Sequence, residues 1–356
     1  MLVPPPCQGD KGFCFHLTDL ALTGFVNGVM KRCILLLTLL MILLAAAVAG
    51  CAPATAPMPT PGPSPALSVS STGQPSSFPI ALTDDLGRQV TVSALPRRIV
   101  SLSPSTTETL FAVGAGDQVV GVTKFCNYPP EAQTREKVGG FSANTISVET
   151  IIALKPDLVL SAGEIHRPVI EALERAGIPV FASAPKEFAG VYAAIESVGR
   201  LTGHEAEASG VVADMKARVS AVKDKTKALH QDRRPTVFYE VWDEPLMTAG
   251  PKSFVGTLIE LAGGVNIFAD VSEEYPQVSS EEVVRRNPAV ILGPDSHGDR
   301  LKPEMIQTRS GWGGLRAVRE GRIYLVNGDI VSRPSPRLVE ALEEIARVLH
   351  PDLFQK

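Results

Sequence analysis

The chain has 356 residues and a formal net charge of −4, from 34 lysines and arginines against 38 aspartates and glutamates. No basic stretch is concentrated enough to suggest a nucleic-acid partner. Of the five cysteines only Cys51 and Cys126 lie at or beyond residue 51, too few for an iron–sulfur cluster held by several thiolates.

Residues 1–29 contain Cys7, Cys14 and a weak apolar patch, and a stretch of that size cannot build a core alone. The simplest reading is a misassigned extension, with translation starting at Met30. Met30-Lys31-Arg32 then leads into an apolar run over residues 34–48 and the small-residue stretch Val48-Ala49-Gly50-Cys51. Basic, apolar and small regions in that order read as an export signal, and the run of about 15 apolar residues is shorter than a membrane span needs. The arrangement resembles the signal peptide and lipobox of bacterial lipoproteins, in which cleavage before the cysteine leaves it as the acylated first residue. The expectation is a signal peptide over 30–50, a lipidated Cys51 and an extracytoplasmic, membrane-anchored body. Residues 52–77 hold seven prolines and almost no large apolar side chain, so they are expected to form a flexible tether.

The body is built twice. Residues 146–160, ISVETIIALKPDLVL, match residues 278–292, VSSEEVVRRNPAVIL, without a gap, with Ser147/Ser279, Glu149/Glu281, Pro156/Pro288 and Leu160/Leu292 identical. Each copy reads as a helix opened by a serine cap with an acid in its first turn. A proline ends the helix and an apolar strand follows. A looser strand–helix pair precedes each copy: residues 98–102 with 108–116, and residues 235–239 with 256–264. Strand and helix in alternation predict a parallel sheet with helices on its faces. The fold expected is therefore α/β, with two Rossmann-like lobes over residues 78–190 and 231–356. The linker over 191–230 has apolar residues at three- and four-residue steps. It reads as one or two helices broken near Gly203, the second running from Glu205 to about Leu229. Such a long backbone helix is stiff and predicts small lobe movements.

Open α/β sheets bind ligands at the carboxyl ends of their strands, so two facing lobes define a cleft. Aromatics in the Gly/Pro-rich loops expected there suit a large flat ligand. Tyr128, Phe141, Trp242 and Tyr275 are the best candidates, whereas Trp312 reads as ordinary packing. The six histidines, His16, His166, His204, His230, His297 and His350, show no ligand spacing, and His166 is expected over the cleft or in solvent. Neither a nucleophile elbow nor a phosphate-binding loop occurs, and Gly114-x-Gly116 ends a helix instead of opening one. An enzyme or redox protein is thus the weaker reading. Glu149 and Glu281 could merely complement helix dipoles. Their equivalence also suits docking on two arginines of a two-fold symmetric partner.

From about residue 84 to the C-terminus the sequence resembles the cobalamin, iron-siderophore and haem class of substrate-binding proteins of ABC importers, and within it the vitamin B12-binding proteins. The resemblance rests on residues 97–108 (RRIVSLSPSTTE), Asn127-Tyr128-Pro129-Pro130, residues 149–160, Gly263-Gly264-Val265-Asn266-Ile267-Phe268, Tyr275-Pro276-Gln277-Val278-Ser279-Ser280-Glu281 and Ser332-Arg333-Pro334-Ser335-Pro336-Arg337. It implies a monomeric, non-catalytic receptor with no resident cofactor or metal, delivering cobalamin or another corrinoid to a permease dimer and its ATPase; a ferric siderophore or haem is the alternative cargo. The family's docking glutamates fall on Glu149 and Glu281, and its corrinoid-facing aromatic on Tyr128. Phe141 and Tyr275 stand where a compared member has tryptophans. Asp329 and Arg333 fall in a cleft-lining loop, with Arg333 the more plausible contact to a ligand amide or phosphate.

Overall fold

A computed structural model describes residues 78–296 and 302–354. The extension, signal peptide, Cys51 and tether expected over residues 1–77 lie outside the described residues. Both lobes fall within one compact unit.

The first lobe opens with an antiparallel pair, β1 (Ile80–Thr83) and β2 (Gln89–Val92), whose residues alternate between buried and exposed. Next come β3 (Ile99–Ser101), α1 (Pro104–Ala112), β4 (Val119–Val122), β5 (Glu136–Lys137), α2 (Val148–Ala153), β6 (Leu158–Ser161), α3 (Arg167–Arg175) and β7 (Val180–Ala182). The strands form one parallel sheet in the order β5-β4-β3-β6-β7. β3, β6 and β7 are buried along their whole length, as a parallel sheet covered on both faces requires. α1 starts four residues earlier than its apolar residues suggest. The Ser103 side chain caps it by accepting from the Thr106 N–H, and Pro104 sits in its first turn, where a missing N–H costs nothing.

Two helices connect the lobes. α4 (Phe188–Thr202) ends at Gly203, whose φ of 77° closes the helix in the left-handed region. α5 (Glu205–Thr226) has 22 residues and so spans about 33 Å. α4 packs on α1 and β1 of the first lobe, and α5 on the second. Thr226 fastens the far end of α5 by donating to the Leu261 carbonyl at 3.0 Å. The adjoining turn needs Gly263 (φ 82°), because a Cβ there would come within 3.1 Å of His350, Thr226 and Leu229.

The second lobe holds β8 (Thr236–Asp243), β9 (Leu246–Thr248), α6 (Phe254–Leu261), β10 (Val265–Asn266), α7 (Ser280–Arg286), β11 (Val290–Pro294), α8 (Pro303–Thr308), α9 (Arg316–Arg319), β12 (Ile323–Val326), α10 (Gly328–Ser332), α11 (Leu338–Leu349) and α12 (Pro351–Phe354). Its parallel order is β10-β8-β11-β12, with β9 antiparallel on β8. The duplication extends to register: Ile99, Val100 and Ser101 pair with Leu158, Val159 and Leu160, while Val237, Phe238 and Tyr239 pair with Val290, Ile291 and Leu292. It extends also to backbone conformation, since Lys155 and Asn287, at equivalent positions before the prolines, are the two non-glycine residues with positive φ among the described residues. The chain is thus two α/β lobes with parallel sheets, joined by a long helix.

Candidate functional site between the lobes

A cavity of about 300 Å³ lies between the lobes. From the first lobe it is lined by Ser105 at the start of α1, by Ala162 and Glu164 beyond β6, and by Ser183 to Lys186 beyond β7. These are carboxyl ends of parallel strands, where an open α/β sheet leaves room for a ligand. The second lobe closes it with Phe254, Tyr275, Ser332 and Pro334. Tyr275 is therefore a cavity residue, and burial with the neighbouring Glu274 pushes its phenol up to about 12.

Behind α1 lies a second, more open groove of about 500 Å³, bounded by Phe111, Tyr128, residues of α5 and Arg337. Tyr128 belongs to this groove. Its ring carries the Arg337 guanidinium at 3.9 Å, a cation–π stack.

Between the two spaces stands a polar bridge across the lobes. Glu108 of α1 has a side chain only 1% exposed. One of its oxygens accepts from Arg333 at 2.8 Å, the other from the Ser335 hydroxyl at 2.6 Å. Arg333 also donates to Asn127 Oδ1 and Asp329 Oδ1, each at 2.6 Å, and Asn127 donates to Asp329 Oδ2 at 2.8 Å. Arg337 lies 3.5 Å from Glu108. Asp329 and Arg333 are thus brought together at the lobe interface, and the donors of Arg333 are engaged by protein acceptors. Glu108, Asn127 and Arg337 fall in the motifs that carry the family resemblance, but nothing in the sequence assigns any of them a site role. The one signal available in the sequence was a glutamate directly after the run Ser103-Pro104-Ser105-Thr106-Thr107; its burial came from the structure.

The other aromatics are placed differently. Phe141 meets the His166 ring edge-on at 5.4 Å between centroids. His166, expected over the cleft or in solvent, is instead fully buried. Its Nδ1 accepts from the Ala162 N–H at 3.1 Å, so Nε2 carries the proton and donates to the Phe141 carbonyl at 2.8 Å. Burial pushes its pKa below the ordinary histidine range, opposed by that carbonyl. Trp242 lies within β8, which runs past Tyr239 because β9 folds back on it, and its indole donates to the Glu244 carbonyl at 2.8 Å. Phe141 and Trp242 border neither space. Trp312 is packing, as expected: fully buried, edge-on to Phe238 and donating to Ser280 Oγ at 2.6 Å.

Glu149 and Glu281 are exposed in the first turns of α2 and α7. Ser147 and Ser279 cap these helices alike, accepting from the Thr150 and Glu282 N–H groups at 3.1 Å. Neither acid is in an ion pair among the described residues; the adjacent Glu282 is bound by Arg285 and Arg286 and held down to about 2. No group of three or more His, Cys, Asp or Glu that could hold a metal occurs among the described residues.

Residues 99–329 match the family model described as periplasmic binding protein. The chain belongs to the periplasmic binding protein family and is a binding protein, not an enzyme. It is 36% identical over 284 residues to the uncharacterised ABC transporter substrate-binding lipoprotein YvrC of Bacillus subtilis, covering 78% of this chain and 88% of that one. It is 36% identical over 280 residues to a cobalamin-binding protein of Halobacterium salinarum, covering 77% and 75%. Among solved structures, a possible iron-binding periplasmic solute-binding protein of Staphylococcus epidermidis superposes with a TM-score of 0.64 at 30% identity, covering 72% of this chain and all of that one. The class is therefore that of extracytoplasmic ABC-importer substrate-binding proteins related to cobalamin-, iron- and haem-binding members.

Proposed function

We propose that this chain is a lipid-anchored receptor that captures a corrinoid, cobalamin foremost, and hands it to an ATP-driven permease dimer. The observation that carries the reading is the interlobe cavity at the strand ends, lined by both lobes; each lobe also carries an equivalent first-turn acid, with no ion pair among the described residues. The likeness to a cobalamin-binding relative supports the choice of cargo. A corrin ring exceeds a 300 Å³ cavity, so capture widens it. The polar bridge is what must rearrange, and Arg333, once turned from Glu108, has donors for a ligand amide or phosphate. Tyr275 supplies an apolar face on the cavity side and Asp329 lies beside Arg333; Tyr128, Phe141 and Trp242 lie off this cavity and would meet a ligand only where the cleft widens toward them. Glu149 and Glu281 would each meet a permease arginine, and Cys51 would hold the body near that permease as a monomer. The cobalt arrives already chelated, so no resident cofactor is needed.

A ferric siderophore or haem is the second reading, favoured by the likeness to a possible iron-binding protein. Titration with cyanocobalamin, cobinamide, haem and a ferric hydroxamate separates the two. The expected result is one-to-one corrinoid binding with a perturbed corrin absorbance. Failure to bind cobalamin or cobinamide at micromolar concentration, with haem or siderophore bound, overturns the corrinoid assignment.

A further inference from the structure

Among the described residues seven large apolar side chains are exposed, and singly scattered ones need no explanation. Two of them are not scattered. Ile152 is 43% exposed and Val284 39%, and they occupy the same position in the two copies of the duplicated stretch. Their neighbours Ile151 and Val283 are fully buried, so each helix already has its core anchor and gains nothing from a second aliphatic residue facing water. The same exposed position is aliphatic twice.

Each aliphatic follows an acid by three residues, Glu149 with Ile152 and Glu281 with Val284, and residues at that spacing are neighbours on a helix surface. In α7 the choice between adjacent acids is settled by pairing: Glu282 is held by Arg285 and Arg286, leaving Glu281 beside Val284. Both first turns are tied to the carboxyl end of a sheet. Ser147 donates its N–H to the Val138 carbonyl just beyond β5, and Val278 donates to Leu246 of β9, which pairs with the end of β8. The two acid–aliphatic pairs therefore sit at the cleft-side ends of their lobes.

We propose that Ile152 and Val284 are the apolar half of a two-point contact with the permease dimer, each seating in a hollow beside the arginine that meets Glu149 or Glu281. The proposal rests on the docking role given above to the two acids. A partner with two-fold symmetry fits, because a duplicated chain presents the same pair twice and a dimer presents the same socket twice. The acids favour a basic protein surface over anionic headgroups.

The test measures the affinity of the intact lipoprotein for nanodiscs holding the permease–ATPase of its own importer relative to permease-free nanodiscs, which removes the contribution of the lipid anchor, with thermal unfolding of every variant as the fold control. I152S and V284S are expected to weaken binding about fivefold each, and the double variant about twentyfold, with unfolding temperatures unchanged and I152V close to wild type. The E149A/E281A double variant is expected to lose binding. If the acid variant loses binding and the serine double variant does not, the aliphatic contact is refuted and the docking reading stands. If both bind like wild type, the docking reading falls too. If the serine variants lose affinity equally for permease-free nanodiscs, the side chains face lipid and the proposal is overturned.

Discussion

Burying a carboxylate is costly unless its oxygens are paired, and Glu108 meets that condition because the second lobe supplies Arg333 and Ser335. Arg333→Ala leaves Glu108 with the Ser335 hydroxyl and the more distant Arg337. A loss of about 2–3 kcal/mol is expected, below the full cost of an orphaned buried charge. Denaturant unfolding should show it as a lower midpoint, and E108Q/R333A should recover part of the loss; a single variant as stable as wild type would count against the bridge. His166 gives a second residue-level expectation. Its pKa is depressed in the folded state, so the unfolded chain binds the extra proton first. The contribution is complete above the ordinary histidine value and is lost as pH falls from there through the folded value. His350, also depressed by burial, acts in the same sense. The thermal midpoint should therefore fall between about pH 7 and 5, less steeply in H166Q, and an unchanged slope in that variant would argue against the His166 term.

At the scale of elements, α2 and α7 have six and seven residues, too short to persist without tertiary support and good caps. Ser147→Ala and Ser279→Ala should each cost about 1 kcal/mol. The sum should be nearly additive, because the two caps lie in different lobes and share no partner; equilibrium unfolding of the single and double variants checks this. The repeat was legible here because its signals are short-ranged. A capping serine, an acid in the first turn, a stopping proline and an apolar strand all act within a dozen residues. β8 was read too short because its last residues depend on β9 folding back, and α1 was read late because its first turn is polar and still buried.

Across the whole molecule, the rigidity of the connection decides how the cleft works. α5 is one unbroken helix whose buried side chains include Val212, Met215 and Val222, so lobe movement on ligand capture is expected to be smaller than on extended strands. Small-angle scattering with and without cyanocobalamin should show nearly the same radius of gyration. A marked contraction would refute a stiff linker. Val212→Pro, in the middle of α5, should cost about 3 kcal/mol or more and broaden the scattering envelope.

The sequence by itself determined the two α/β lobes, their helical connection and the two capped acids, because helix periodicity, capping and strand propensity are local, and those of the lobes were written twice. Only the tertiary structure decided which residues meet across the cleft. Glu108 and Arg333 are 225 positions apart, Asn127 and Asp329 are 202 apart, and no local pattern records such a pairing. The same holds for His166, whose ring is buried and reaches the Phe141 carbonyl across 25 residues. It holds also for Tyr128, whose face is taken by Arg337 from the other lobe. Burial and partnership of a polar side chain are properties of the packed interface, where charge, donor count and excluded water are resolved together.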